Sequence, residues 1–152
     1  MQNNMQIRKQ IAQRINDYDQ ANAQLFTEVA DSGQLDEVLK NRNTTEGCYV
    51  IKLETQAQSA SDYYQDVTER YQVITICSNY SDAYGSAVGD IAEAMQDVVY
   101  EAISGYVCTD KKGDDTDPLK FVTGGLIDLK DSLHVWADIY ELGYTQKINQ
   151  QG

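Results

Sequence analysis

The residues of this sequence that most resemble a site for chemistry are three closely spaced aspartates, Asp114, Asp115 and Asp117. Carboxylate oxygens are the ligands that calcium and magnesium prefer, so this run has the chemistry to hold a hard cation. It lacks, however, the ligand spacing and the final glutamate of an EF-hand calcium loop. A solvated charged loop explains the pattern better, and we predict no metal site here.

The other reactive side chains do not form a catalytic pattern. His134 is the only histidine, and it alternates with Trp136 in a strand-like segment, which favours a structural role. The pair Gly124 and Gly125 lacks the third glycine and the following helix that a dinucleotide site requires. No nucleophile elbow, phosphate-binding glycine loop or paired-cysteine motif occurs. We predict no catalytic residue and no cofactor; a cation-dependent small-ligand enzyme that uses several of the many carboxylates stays open as an alternative.

The three cysteines, Cys48, Cys77 and Cys108, are far apart in the sequence. An odd number with no close pair argues against a disulfide framework and against a metal knuckle. Cys48 and Cys77 lie inside apolar, strand-like runs. We therefore predict that they are small core residues of a protein from a reducing compartment.

The charge of the chain is strongly negative. Its 152 residues include 24 acidic and 12 basic side chains, which gives a formal net charge of −12. Such a surface repels phosphate, so we predict no specific nucleic-acid binding, although an acidic wall past which DNA slides is compatible with it. The mean hydropathy is −0.53, and the apolar runs are far shorter than the ~20 residues of a membrane span. We therefore predict no membrane segment.

Hydrophobic periodicity predicts two helices. Near the N-terminus, one stripe of an amphipathic helix is formed by isoleucines at a spacing of four, Ile7, Ile11 and Ile15. A longer helix is predicted over residues 83–103, with Gly105 placed to end it in a left-handed cap. Residues 19–43 are less regular and predict one or two short helical turns.

Runs of β-branched and aromatic residues predict four strands, over residues 48–54, 70–77, 121–129 and 132–144. The second strand alternates, with one face formed by Tyr71, Val73, Thr75 and Cys77 and the other by Gln72, Ile74 and Ile76. The double glycine in the third strand indicates a bulge or kink.

The order of these elements is helix, irregular helical segment, two strands, long helix, two strands. It predicts a single α+β domain over residues 1–152, in which an antiparallel sheet of about four strands is covered on one face by helices. Residues 55–66 are polar and predict a long, mobile hairpin connection, and residues 110–118 are charged and predict a flexible loop. Residues 146–152 predict a disordered tail.

Three stretches of the chain resemble the Mu-type tail-terminator family of contractile-tailed phages and prophages. The segment from Ile7 to Ile15 is similar to the opening helix of that family. Residues 71–85 (YQVITICSNYSDAYG) are similar to its strand, asparagine and Asp-containing helix start. Residues 124–129 (GGLIDL), followed by 136–140 (WADIY), are similar to its closing strand pair. The helical character of residues 19–43 departs from the family pattern.

The resemblance implies a non-enzymatic tail-completion protein, found in the bacterial host cytoplasm during assembly and then in the virion tail. Relatives are expected to cap the tail tube as a ring, stop its polymerisation and present a surface to the head connector. Lambda-type terminators suggest a ring of six. The implied partners are further copies of the chain, the tail tube protein and head-connector proteins. A monomeric adaptor that binds one protein partner is the alternative.

The two polar loops are where contacts with partners are expected, because loops carry binding residues on a rigid scaffold. The chain holds eleven tyrosines but only two phenylalanines and one tryptophan, and tyrosine is enriched at protein interfaces. We therefore predict protein contacts at Tyr63, Tyr64, Asp114, Asp115 and Asp117.

Overall fold

A computed structural model describes residues 5–33, 46–78, 86–130 and 133–148. Residues 86–88, 128–130 and 133 are described by their backbone alone. In chain order, the elements are α1 (Ile7–Asn22), β1 (Glu28–Ser32), β2 (Gly47–Ser59), β3 (Tyr64–Ser78), α2 (Ser86–Ile103), β4 (Val107–Thr109), β5 (Asp115–Pro118), β6 (Lys120–Lys130) and β7 (Leu133–Lys147).

The main sheet has five strands in the order β1-β2-β3-β7-β6. All neighbours are antiparallel except β1 and β2, which pair in parallel. The α+β class is therefore confirmed, whereas the prediction of about four purely antiparallel strands was wrong. The additional strand β1 lies inside residues 19–43, where helical turns were predicted; residues 34–43 of that segment lie outside the described residues.

A buried carboxylate explains why the chain leaves its helical path before β1. Both oxygens of Asp19 accept backbone hydrogen bonds, from Leu25 N at 2.8 Å and from Phe26 N at 3.0 Å. Gln24, between these elements, has a positive φ of 54°, which ends the helix. Such a side-chain-to-backbone turn competes with helix formation, and it directs the chain along the edge of β2.

Two buried clusters hold the sheet, one on each face. The helix-side cluster joins isoleucines of α1 and the apolar stripe of α2 to Cys48 and Val50 of β2, Tyr71 and Val73 of β3, and Tyr140 of β7. The opposite face buries Tyr49, Ile51, Ile74, Ile76, Val135 and Ala137. The predicted alternation of β3 is confirmed, and so is the stripe of α1. The central strands are buried on both faces, which the prediction of a single covered face did not include.

Both predicted long loops contain strands. Within residues 55–66, β2 continues to Ser59 and β3 begins at Tyr64, so only four residues connect them. The outer half of β2 is exposed along its whole length, so no apolar alternation marks it as a strand. Within residues 110–118, β5 pairs with β4 to form a short hairpin. The hairpin connection predicted over residues 55–66 is present but shorter than predicted, and both segments contain strand pairing that the sequence analysis did not predict.

The remaining boundaries follow the sequence more closely. The part of α2 that the structure describes begins at Ser86 and ends at Ile103, and Gly105 has the left-handed φ of 81° predicted for its cap. Strand β7 extends to Lys147, so two residues of the predicted disordered tail pair with β3, and residues 149–152 lie outside the described residues. All three cysteines are buried and none forms a disulfide bond. The prediction that Cys48 and Cys77 are core residues is confirmed, and burial raises the pKa of Cys77 to about 11. No helix in the described ranges is long and apolar enough to cross a membrane.

Candidate protein-contact surfaces

The tip of the β2–β3 hairpin presents the two tyrosines predicted as protein contacts. Tyr63 is 56% exposed and Tyr64 46% exposed. The turn is fixed by Ser61, whose hydroxyl accepts hydrogen bonds from both tyrosine amides at 3.2 Å. The amide of Ile148 donates to the carbonyl of Tyr63 at 2.7 Å, which ties the tip to the end of β7. The two aromatic rings therefore project from a turn whose backbone is fixed by hydrogen bonds.

The β4–β5 hairpin presents the three predicted aspartates. Asp114, Asp115 and Asp117 are all exposed. Asp110 organises the turn before them, because its carboxylate accepts hydrogen bonds from the amides of Lys112 and Asp114 at 2.9 Å. Within the residues that the structure describes, no three His, Cys, Asp or Glu side chains are close enough to hold a metal ion. The hairpin is thus a negatively charged projection.

The structure places the two predicted contact regions at the same end of the sheet. A carboxylate oxygen of Asp117 lies 3.0 Å from the position that a Cβ would take on Gly143. Gly143 precedes Lys147, the partner of Tyr64, by four residues on β7. At ~3.3 Å per residue, the two regions are about 13 Å apart along the strand. A single partner protein can therefore contact both regions at once.

The edge strand β6 is a surface that the sequence interpretation missed. Its residues 121–127 are all exposed, and they include four large apolar side chains, Phe121, Val122, Leu126 and Ile127, with exposures of 38–50%. Bulges in the pairing with β7 fall at Val122 and Ile127, on either side of the double glycine rather than at it. The available signal in the sequence was the two pairs of adjacent apolar residues, Phe121-Val122 and Leu126-Ile127. A strand with one buried face needs an apolar residue only at every second position, so such pairs indicate an additional apolar surface.

An aromatic cluster supports β6 on the helix side of the sheet. The ring of Phe121 lies edge-to-face between Tyr140 of β7 and Tyr100 of α2, at centroid distances of 5.6 and 6.4 Å. Tyr100 is 52% exposed and extends the apolar surface from the strand onto the helix. Trp136 stacks on His134 at 6.3 Å, so the single histidine packs in the sheet as predicted.

A buried glutamate forms the floor of a pocket of about 250 Å³ at the base of the β2–β3 arm. Glu69 accepts hydrogen bonds from the hydroxyls of Tyr71 and Tyr144, the latter at 2.8 Å, and from Lys52 Nζ at 3.1 Å. Burial by itself would raise the pKa of Glu69, but these three donors hold its pKa below the ordinary value. Burial and the neighbouring glutamate raise the pKa of Tyr71 in turn.

The wall of this pocket is rich in positive charge. Four of the chain's twelve basic residues line it: Arg8, Lys52, Lys111 and Lys112. Arg8 is held by Asp31 at 2.6 Å and Lys52 by Glu69. The two lysines of the β4–β5 turn have no ion pair among the described residues. The pocket, which Glu69 and Asp110 also line, is therefore richer in basic side chains than the chain as a whole, whose net charge is −12.

Comparison with known proteins assigns the chain to a family. The family described as phage tail terminator protein matches residues 5–150, which is nearly the whole chain. The chain belongs to the phage tail terminator family. This membership supports a role in phage tail assembly, as the resemblance in the sequence implied.

The fold of the terminator also occurs in a solved virion. A chain from the virion of a native gene transfer agent particle matches it with a TM-score of 0.57 and 11% sequence identity. The match covers 93% of this chain and 100% of that chain, so the similarity of fold extends over nearly the whole domain. Among curated protein sequences, none matches the terminator.

Proposed function

We propose that the terminator closes on the end of the tail tube as a ring of identical subunits, stops tube polymerisation and presents a surface to the head connector. Its partners are further copies of itself, the tail tube protein and head-connector proteins, and it acts by contact rather than by catalysis. Assembly takes place in the host cytoplasm before the protein becomes part of the virion tail. Six subunits is the number that the lambda-type resemblance suggests.

The observation that carries this proposal is the family match over residues 5–150. The surfaces of the described residues support it, because a subunit between a tube and a connector needs lateral and axial contacts. One end of the sheet carries the tyrosine tip and the acidic hairpin. The apolar strand β6 lies at the lateral edge. A net charge of −12 suits a ring through which DNA passes without being held.

The first experiment is the mass of the purified protein in solution, measured by light scattering over a wide concentration range. In a second sample, the protein is added to purified tail tubes that were assembled without it. The tubes are then sedimented, and the number of bound copies per tube is measured. We expect a closed oligomer, free or on the tube, with a fixed number of copies at one tube end. Tubes that continue to elongate in the presence of excess terminator would contradict the proposal.

A protein that stays monomeric and binds tails as a single copy would favour the adaptor function instead. The two functions share the fold and differ in stoichiometry. The copy number per tube end therefore decides between the two functions. This number is the same whether the ring forms before or after the protein binds the tube.

A further inference from the structure

We propose that the outer edge of β6 is the contact between neighbouring copies of the terminator. The inference rests on the proposed function, since it assigns the lateral surface of the ring. Strand β6 (Lys120–Lys130) ends the sheet, and among the described residues no strand pairs with its outer side. An unpaired strand offers a row of backbone donors and acceptors to another chain.

The side chains of this edge are those of an interface. Phe121, Val122, Leu126 and Ile127 are 46%, 38%, 50% and 40% exposed, and they lie within seven consecutive residues. Large apolar side chains that are exposed together on one strand edge commonly mark a binding site. Natural edge strands are instead protected by charged side chains, and residues 121–127 contain none.

The charge of the chain favours a second copy as the occupant. Each copy has a formal charge of −12, so two copies repel wherever their acidic surfaces meet. A favourable contact between copies therefore requires an uncharged surface, whereas a partner of opposite charge would bind the acidic faces directly. Residues 121–127 supply such a surface, both exposed and apolar.

The aromatic cluster makes this surface rigid before binding. Phe121 is held between Tyr140 and Tyr100 by edge-to-face contacts, and Tyr140 is fully buried. An anchor that is already immobilised loses little conformational entropy on association. Exposed Tyr100 extends the contact onto α2, so the neighbouring copy meets a strand edge and an adjoining helix face.

Ring closure determines the kind of contact. A ring requires a head-to-tail interface, in which β6 of one copy meets a different surface of the next. Contact of β6 with β6 would stop at a dimer. The bulges at Val122 and Ile127 interrupt a regular ladder and so limit open-ended strand addition.

The test uses a photo-crosslinking amino acid in place of Val122 in the full-length chain, irradiated after assembly on purified tail tubes. The control places the same amino acid at Leu53, an apolar residue of β2 that is 44% exposed. We expect covalent dimers and higher multimers of the chain from position 122, and a lower yield of them from position 53. Crosslinks from position 122 that join only the tube protein, or none at all, would overturn the inference.

A charge at the same edge provides a second measurement. Leu126→Glu places a carboxylate where an apolar contact is proposed, and Leu53→Glu is its matched control. Because burying an unpaired charge is unfavourable, we expect Leu126→Glu to raise the concentration needed for assembly at least about tenfold, with an unchanged circular dichroism spectrum. Equal assembly of both variants and the wild type would overturn the inference while leaving the tube-capping proposal intact. Wild-type protein that neither oligomerises nor binds tubes would overturn both.

Discussion

The indole Nε1 of Trp136 donates a 2.7 Å hydrogen bond to Oδ1 of Asp138, two residues along the same face of β7. Burial raises the pKa of the Asp138 carboxyl, and the indole hydrogen bond partly opposes that effect. Gly124 on β6 leaves the space that both side chains occupy. A Cβ at Gly124 would overlap Oδ1 of Asp138 and lie 3.1 Å from Nε1 of Trp136.

Gly124→Ala should therefore destabilise the protein by about 1–3 kcal/mol, because the methyl group forces the indole and the carboxylate apart. The matched control is Gly125→Ala, since a Cβ at Gly125 would meet nothing within 4 Å. We expect this control to be neutral or slightly stabilising, through the unfolded chain. Urea unfolding of both variants checks the pair, and equal stabilities would contradict the assigned role of Gly124.

Two tyrosines of β7 should respond in opposite ways to loss of their hydroxyls. The hydroxyl of Tyr140 is buried and has no hydrogen-bond partner among the described residues, whereas that of Tyr144 donates to Glu69 at 2.8 Å. Removing an unpaired buried hydroxyl relieves a desolvation cost, so Tyr140→Phe should leave the free energy of unfolding unchanged or raise it by up to about 1 kcal/mol. Tyr144→Phe should lower it by about 1–2 kcal/mol. The same order of effects in thermal unfolding would support the prediction, and a larger loss for Tyr140→Phe would refute it.

Glu69 should make the protein sensitive to acid. Its pKa is lowered in the folded state, so the unfolded chain binds the proton more tightly. The sign follows from linkage: the stabilisation is complete above the unfolded pKa of about 4.3 and is lost as the pH falls through the folded pKa. The free energy of unfolding of the wild type should therefore drop more steeply than that of Glu69→Gln between about pH 6 and pH 3.

Glu69→Gln is the control for this experiment, because all other carboxylates titrate in both proteins and their effect cancels in the comparison. The difference in unfolding free energy between wild type and Glu69→Gln should narrow as the pH falls. A difference that is constant over this range would show that Glu69 does not contribute through its ionised form.

The sequence predicted those helices and strands in which the spacing of apolar residues reflects which face is buried. The isoleucine stripe of α1 and the alternation of β3 both reflect a face turned towards the core, and both were predicted. Strand β1 has only five residues and is half-buried or exposed. Its position depends on pairing with β2 and on the Asp19 turn, which no local periodicity encodes.

The contact surfaces show the same division. The segment containing Phe121 and Leu126 was predicted as a strand from its composition. Composition does not reveal, however, that this strand lies at the edge of the described sheet. The Glu69 network was not predictable, because Tyr144 lies 75 residues further along the chain and nothing near Glu69 in sequence marks it as buried. Tyr63 and Tyr64 were predicted as contacts from residue type, and their exposure at a hairpin tip agrees with that interpretation without testing it.

The tyrosine tip provides the last prediction. Tyr63→Ser combined with Tyr64→Ser should leave the free energy of unfolding within about 0.5 kcal/mol of the wild type, because both side chains are largely exposed and the turn is held by Ser61 and backbone hydrogen bonds. If the tip contacts a tail or head-connector protein, loss of two aromatic anchors should weaken head-tail joining at least about tenfold. Asp114→Asn, Asp115→Asn and Asp117→Asn combined tests the neighbouring acidic hairpin in the same way. Infectious-particle yield in a terminator-deficient phage measures joining, with Leu53→Ser as an exposed apolar control on the same arm. Wild-type yield from the tyrosine variant, with normal protein levels, would exclude the tip as a contact surface.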